Sequence, residues 1–376
     1  MIRAAFLFLL SVHALIHLLG FVKAWDIAPV QQLTGKTILP LSGSGVKFFG
    51  MLWLAACLLL LTAALMYLMK NPAWWTAGLA GVLLSQFLVI VYWPDAKAGT
   101  LANIILLPVI ITGWANWNFG RMAARETAAM FAEAISPQPR MVSPEMVANL
   151  PPPVARWLTA SGVAGKEKIY TARLKQKGLM RQSPEKGWMK TQAVQYFSTE
   201  KPGFIWTARV EMMPLLTLAG RDKYADGKGN MLIKALGLLP VVDATGPEID
   251  QGTMLRYLGE MIWFPSAALE PYIAWEPIDS VSAKATMNFG GVTASGVFTF
   301  DAEGRMLSFS AQRYYGGGEG SALEDWYIPA SEWKEFDGIR VPSKGDVIWK
   351  LKDGDFNYYR WEIEAIEYNV PEQYPH

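Results

Sequence analysis

Four apolar stretches, roughly 4–24, 48–69, 73–93 and 101–119, crowd into the first third of the chain, and residues 120–376 read as an ordinary soluble mixture. Each runs about 19–22 residues, the length a helix needs to cross a hydrocarbon core ~30 Å thick. Trp25, Trp53, Trp74, Trp75, Trp93, Trp114 and Trp117 fall mostly near the ends of the stretches, as interfacial aromatic belts do. The first stretch lacks a small-x-small cleavage site and is succeeded by further apolar runs, so it reads as an anchor and not a cleaved signal. The expectation is a four-span bundle in 1–119, a helical, proline-rich connector in 120–164 and a β-rich soluble domain in 165–376. The fold class is thus a membrane α-helical bundle joined to an α+β domain.

Four spans return the chain to the side where it began. Arg3, Lys70, Arg121 and Arg125 flank that side, and Lys23, Lys36, Lys47 and Lys97 flank the other. Arg140 tips the count of basic residues towards a cytoplasmic soluble domain on a multi-pass protein of the inner membrane. By parity the first and third spans end together, which places Lys23, Asp95, Lys97 and Asn103 at one level and predicts a Lys23–Asp95 ion pair. They also read as snorkelling interfacial side chains.

His13 and His17, in "HALIHLLGFVKAW", are two of only three histidines. Spaced i, i+4, they share a helix face and cannot ligate a haem from both sides. A polar stripe running from His13 through His17 to Lys23 is expected to face the bundle interior. There it would hydrogen-bond Ser85, Gln86 or Asn103, or relay protons.

From about Lys168 the apolar period changes to two. "KIYTARLKQKGLMRQ", "WMKTQAVQYFST", "GFIWTARVEMM", "GVFTF", "MLSFSAQRYY" and "GDVIWKLK" alternate like strands. Turn signals fall at Asp226-Gly227, Gly290-Gly291, Glu303-Gly304, Asp337-Gly338 and Asp353-Gly354. In the last strand Tyr359, Trp361 and Ile363 take one face. One helix interrupts the strands: "DQGTMLRYLGEMIWFP" puts Met254, Leu258 and Met261 on one face, pairs Arg256 with Glu260 and stops at Pro265. The pattern implies a curved antiparallel half-barrel with one or two helices across its concave face. Trp206, Trp263, Trp275, Tyr257 and Trp361, together with Trp188, Trp326 and Trp349, either line a groove there or fill a closed core.

With His376 as its one histidine, the soluble part cannot hold a Ser-His-Asp or Cys-His triad, and it carries no GxGxxG or P-loop lysine. "GGGEG" (316–320) reads as a loop. Asp243, Glu248 and Asp250 are candidates for a hard cation or for acid–base chemistry, although Asp250 also suits a helix N-cap. No cofactor is expected. The net charge of +1 gives no footprint for nucleic acid. The partners expected are the bilayer and an apolar small molecule or lipid, and no protein partner is indicated.

"HALIHLLGFVKAW", "LSQFLVIVYWPDAKAGTLANIILL", "LPPPVARWL" and "PVVDATGPEIDQGTMLRYLGEMIWFP" resemble a family of bacterial membrane proteins known only as a domain of unknown function. The four-helix half looks like DoxX-type membrane subunits, linked to redox and thiol-stress systems. The β half is similar to the half-barrels of lipoprotein carriers, which hold acyl chains on a concave sheet. Three functions are compatible with these features: a membrane-anchored binder of an apolar or lipid-like ligand, a membrane subunit supporting redox or proton transfer beside a partner enzyme, and a metal-dependent enzyme using Asp243, Glu248 or Asp250.

Overall fold

The structure, a computed structural model, describes residues 2–134, 140–213, 216–316 and 320–375. They divide into two compact units, 1–120 with 236–238, and 121–235 with 239–376.

α1 (Ile2–Ala24), α2 (Gly43–Leu68) and α3 (Trp74–Val91) of the first unit, and α5 (Gly99–Ala134), whose residues 99–120 belong to it, are long and apolar enough to cross a membrane, and the short α4 (Trp93–Ala96) precedes α5. Leu10, Ala14, Leu60, Ala63 and Leu106 are fully buried between the helices. Close approach depends on small residues: a Cβ on Gly20 would lie 2.6 Å from the Trp53 ring, so only glycine lets that indole lie against α1. The outward faces are apolar too, with Phe8 71% and Leu101 65% exposed. "RMAARETAAMFAEA" (121–134) continues α5 as expected. The break anticipated at "SPQPR" (136–140) lies almost wholly outside the described residues.

The second unit opens with α6 (Pro144–Ala148) and α7 (Pro152–Ser161), the latter ended by Gly162 in the left-handed conformation at φ +74°. Thirteen strands come next: β1 (Thr171–Met180), β2 (Met189–Ser198), β3 (Gly203–Met213), β4 (Leu216–Ala225), β5 (Lys228–Ala235), β6 (Leu239–Ala244), β7 (Ile273–Pro277), β8 (Ser282–Phe289), β9 (Val292–Phe300), β10 (Met306–Tyr314), β11 (Leu323–Phe336), β12 (Ile339–Leu351) and β13 (Gly354–Tyr368). Among the described residues they form one curved antiparallel half-barrel sheet in the order β6-β5-β4-β3-β2-β1-β13-β12-β11-β10-β9-β8-β7. Two meandering wings therefore meet at the β1–β13 pair. Asp226-Gly227 and Asp337-Gly338 both sit at positive φ, which gives their hairpins turns matching the strand twist.

β6 and β7 are consecutive along the chain yet lie at opposite edges, and the segment joining them contains α8 (Pro247–Glu260) and two 3₁₀ turns. α8 packs on β4 and β5 of one wing and on β8, β9 and β10 of the other. Met254, Leu258 and Met261 are completely buried, the burial their shared face demands. The helix begins at Pro247 with Gly246 in the N-cap position, so Asp250 is not the cap expected of it and lies inside the first turn.

Candidate functional site

Alternation along the strands decides which side chains meet α8. Phe204, Trp206, Ala208 and Val210 of β3 point inward, as do Trp326 and Ile328 of β11 and Val347 and Trp349 of β12. The sheet does not close fully on the helix. A cavity of about 390 Å³ remains, with Trp206, Trp263, Trp326, Trp349 and Trp361 in its wall beside Leu218 and Ile233. Small residues leave the space open: Gly220 pairs with Ala208 across β4 and β3, and both line it. A Cβ on Gly345 would collide with the Trp361 ring, so glycine there seats that tryptophan.

Into this apolar wall the sheet and α8 set a chain of polar groups. Arg256 donates from Nη1 to Asp222 Oδ2 (2.5 Å) and from Nε to Glu260 Oε1 (2.7 Å). Glu260 accepts a second bond from Gln195 Nε2 (2.6 Å). Gln176 donates to Gln195 (3.4 Å) and accepts from the Tyr359 hydroxyl (2.7 Å). The Arg256 guanidinium lies 4.7 Å from the Trp206 ring centroid. Burial pushes the Glu260 carboxyl above the usual range, against the pull of Arg256 and Gln195. Burial likewise raises the Tyr359 hydroxyl, which stays protonated and donates.

Of the eight aromatic residues expected to line a groove or fill a core, Trp206, Trp263, Trp326, Trp349 and Trp361 line the cavity. Tyr257 and Trp275 do not. Tyr257 is fully buried and donates to Ser198 O (3.1 Å), and Trp275 donates to Ala268 O (3.0 Å) and packs on Trp157 and Phe298. Trp188 stacks under Arg181 and Arg360, away from the cavity wall. Asp243, Glu248 and Asp250 do not converge. Asp243 accepts from Asn230 (3.0 Å), Asp250 from Gly229 N (2.7 Å) and Lys228 (2.8 Å), and Glu248 lies on the cavity wall. Among the described residues no three His, Cys, Asp or Glu side chains are placed to share a metal ion.

The first unit holds a second polar cluster. His13 is buried and its Nε2 meets Asn103 Oδ1 (2.9 Å) and Ser85 Oγ (3.2 Å), while Asn103 Nδ2 donates to Ser85 (3.1 Å) and Gln86 (3.0 Å). His17 Nδ1 donates to His13 O (2.7 Å), which leaves Nε2 as an acceptor, buried and without a hydrogen-bond partner. His17, Lys23 and Asp95 line a cavity of about 440 Å³. Two expectations fail here. Asn103 lies at the level of His13 and not of Lys23. Lys23 and Asp95 form no ion pair: the loop after α1 reaches Asp95 first, with Thr34 Oγ1 (2.8 Å) and Gly35 N (2.7 Å) donating to it. Burial opposes ionisation of Asp95, but these donors, with the charge of the more distant Lys23, hold its carboxyl below the ordinary range. Lys97 is exposed.

Sequence reasoning missed Asp222, Gln176 and Arg313 as cavity residues, and Gln195 as their neighbour in the polar chain. The signal was present in the period of two. Arg313 succeeds Phe309 and Ala311 on the inward face of β10, and Asp222 succeeds Gly220 on β4. A charge at an inward strand position marks a buried polar site.

Fold and cavity together define a half-barrel with an apolar chamber under a crossing helix. The chain belongs to a family of unknown function, DUF6544, whose model matches residues 140–361. No curated protein matches it. Among solved structures it is similar to an outer membrane lipoprotein-sorting protein domain from Vibrio parahaemolyticus (7% identity, TM-score 0.34, covering 61% of this chain and 94% of that one). It is also similar to a DUF1329 family protein from Desulfovibrio piger (8%, 0.34, 62% and 96%) and a LolA superfamily protein from Nitrosomonas europaea (9%, 0.33, 59% and 94%).

Proposed function

We propose that the first unit spans the bacterial inner membrane four times and anchors a half-barrel whose cavity binds an apolar or lipid-like ligand. The observation that carries this reading is the chamber of about 390 Å³ walled by five tryptophans. A volume of that order lies within the ~300–1,000 Å³ of small-molecule sites, which are mostly apolar with a few placed polar groups. The outward apolar faces of the helices support the anchor. On this reading the half-barrel shares the cytoplasmic face with the N-terminus, and reporters fused at Gly43 and at the C-terminus should report opposite compartments.

The ligand is tested by extracting purified protein and identifying co-purified lipid by mass spectrometry. Gly220→Leu places a side chain in the chamber, where a Cβ meets its nearest atom only at 3.7 Å. It should remove the lipid while the protein keeps its melting temperature within a few degrees. A lipid-free wild type, or a Gly220→Leu protein with undiminished lipid, ends the reading. A second reading, a DoxX-like subunit that supports redox or proton transfer, draws on the unpartnered His17 Nε2 beside the cavity of the first unit. It calls for a chromophore in the purified protein that His17→Ala removes, and a colourless wild type counts against it.

A further inference from the structure

Three arginines reach the chamber of the half-barrel, and two are engaged. Arg256 is held by Asp222 and Glu260. Arg181 donates to Asn357 O (2.6 Å) and Pro184 O (3.0 Å). Arg313 differs from both. Among the described residues its guanidinium makes no ion pair, and its buried Nε has no hydrogen-bond partner. What holds it is aromatic: the guanidinium carbon lies 4.5 Å from the Trp326 ring centroid and 5.7 Å from that of Trp349. Stacking engages the faces of the guanidinium and leaves its N–H edge available, the geometry in which arginine receives a carboxylate or phosphate.

A second donor within the wall is unused. Trp206 is 6% exposed, and its Nε1 has no partner. Space has been kept for the arginine as well, since a Cβ on Gly252 of α8 would come within 3.1 Å of Arg313 Nε. An unpaired cation and an orphan N–H in an apolar wall are costly unless a ligand answers them. Glu248 lies on the wall too, and among the described residues it pairs with none of the three arginines.

We propose that the chamber takes a single-chain lipid anion, its carboxylate or phosphate seated on Arg313 and its chain along the tryptophan wall. This rests on the apolar-ligand reading above and narrows it to one class. The volume, near the lower end of ligand chambers, suits one acyl chain better than a diacyl lipid. A free fatty acid and a lysophospholipid share this chemistry.

The test uses the full chain, delipidated and held in amphipol, with parinaric acid and its methyl ester as fluorescent probes of equal chain and different charge. Wild type should bind the acid roughly tenfold more tightly than the ester, the size of one charge-assisted hydrogen bond. Arg313→Met should bring the ratio near one. Gly252→Ala, which crowds the guanidinium and leaves the charge in place, should lower it. Displacement by oleate against lysophosphatidic acid distinguishes a carboxylate source from a phosphate one. Equal affinity for acid and ester in wild type overturns the anion assignment while the apolar reading stands, and so does a preference that survives Arg313→Met. Failure of both probes to bind removes the apolar reading and this one with it.

Discussion

Each unit carries a buried polar network, and these two are built on opposite terms. Among the helices, His13, Ser85, Asn103 and Gln86 exchange hydrogen bonds with no carboxylate or ammonium in the chain. Under α8, the network is charged at its centre: Asp222, Arg256 and Glu260 sit at 19%, 15% and 12% side-chain exposure. A neutral network loses one hydrogen bond at a time. A charged one holds ions whose removal from water is offset only by each other, so losing one partner strands the rest. The helical cluster is a set of joints, and the sheet cluster behaves as a unit.

The largest test of that contrast is Arg256→Met. It leaves two carboxylates facing an apolar wall and should cost about 3 kcal/mol or more, read as the shift in the chemical-denaturation midpoint of the half-barrel. Replacing the whole group (Asp222→Leu, Arg256→Met, Glu260→Met) should recover most of that loss. A triple variant as unstable as the single would show that the network acts through its hydrogen bonds and not its charges. In the helical cluster, Asn103→Ala should cost only about 1 kcal/mol, the scale of interhelical hydrogen bonds in lipid, measured by thermal unfolding in detergent. A loss as large as that of Arg256→Met would erase the distinction between the two networks.

The smallest effect is a slope. The folded Glu260 carboxyl titrates above its unfolded value of ~4.3, so the native state holds its proton in a window where the unfolded chain has released it. Stability from this group therefore rises as pH falls through the folded value towards ~4.3, and is lost as pH rises again. Melting curves between about pH 4.3 and 7 should show a shallower dependence in Glu260→Gln than in wild type. Parallel curves would mean that Arg256 fully offsets the burial.

Much of the architecture was legible because it is written in local periods. The switch from long apolar runs to a period of two separated helices from strands, and the Asp-Gly pairs placed hairpins. His13 met Ser85 and Asn103, and through Asn103 Gln86, because they were the nearby polar side chains in apolar runs. What stayed hidden depends on non-local register. That Lys23 would lose Asp95 to Thr34 and Gly35 is set by the path of a loop, not by span parity. That Tyr257 and Trp275 would be core while Trp326 and Trp349 lined the chamber is set by where α8 lands on the sheet. Arg313 was hidden by its company, since one arginine in an alternating strand reads as an outward residue until its place in the alternation is counted.

The seam at the middle of the half-barrel has a consequence for the order of events at birth. β1 and β13 pair from Ala172↔Tyr368 to Met180↔Tyr359, with a bulge at Lys175/Gln176. The strand that opens the sheet therefore waits for the strand that ends it, across nearly the whole length of the unit. Each wing can zip through its own hairpins as it is made, but the sheet cannot join the two until β13 is available. Such long-range closure is intrinsically slow. Until it happens, the inner edges of both wings stand open beside whatever else the nascent chain can reach.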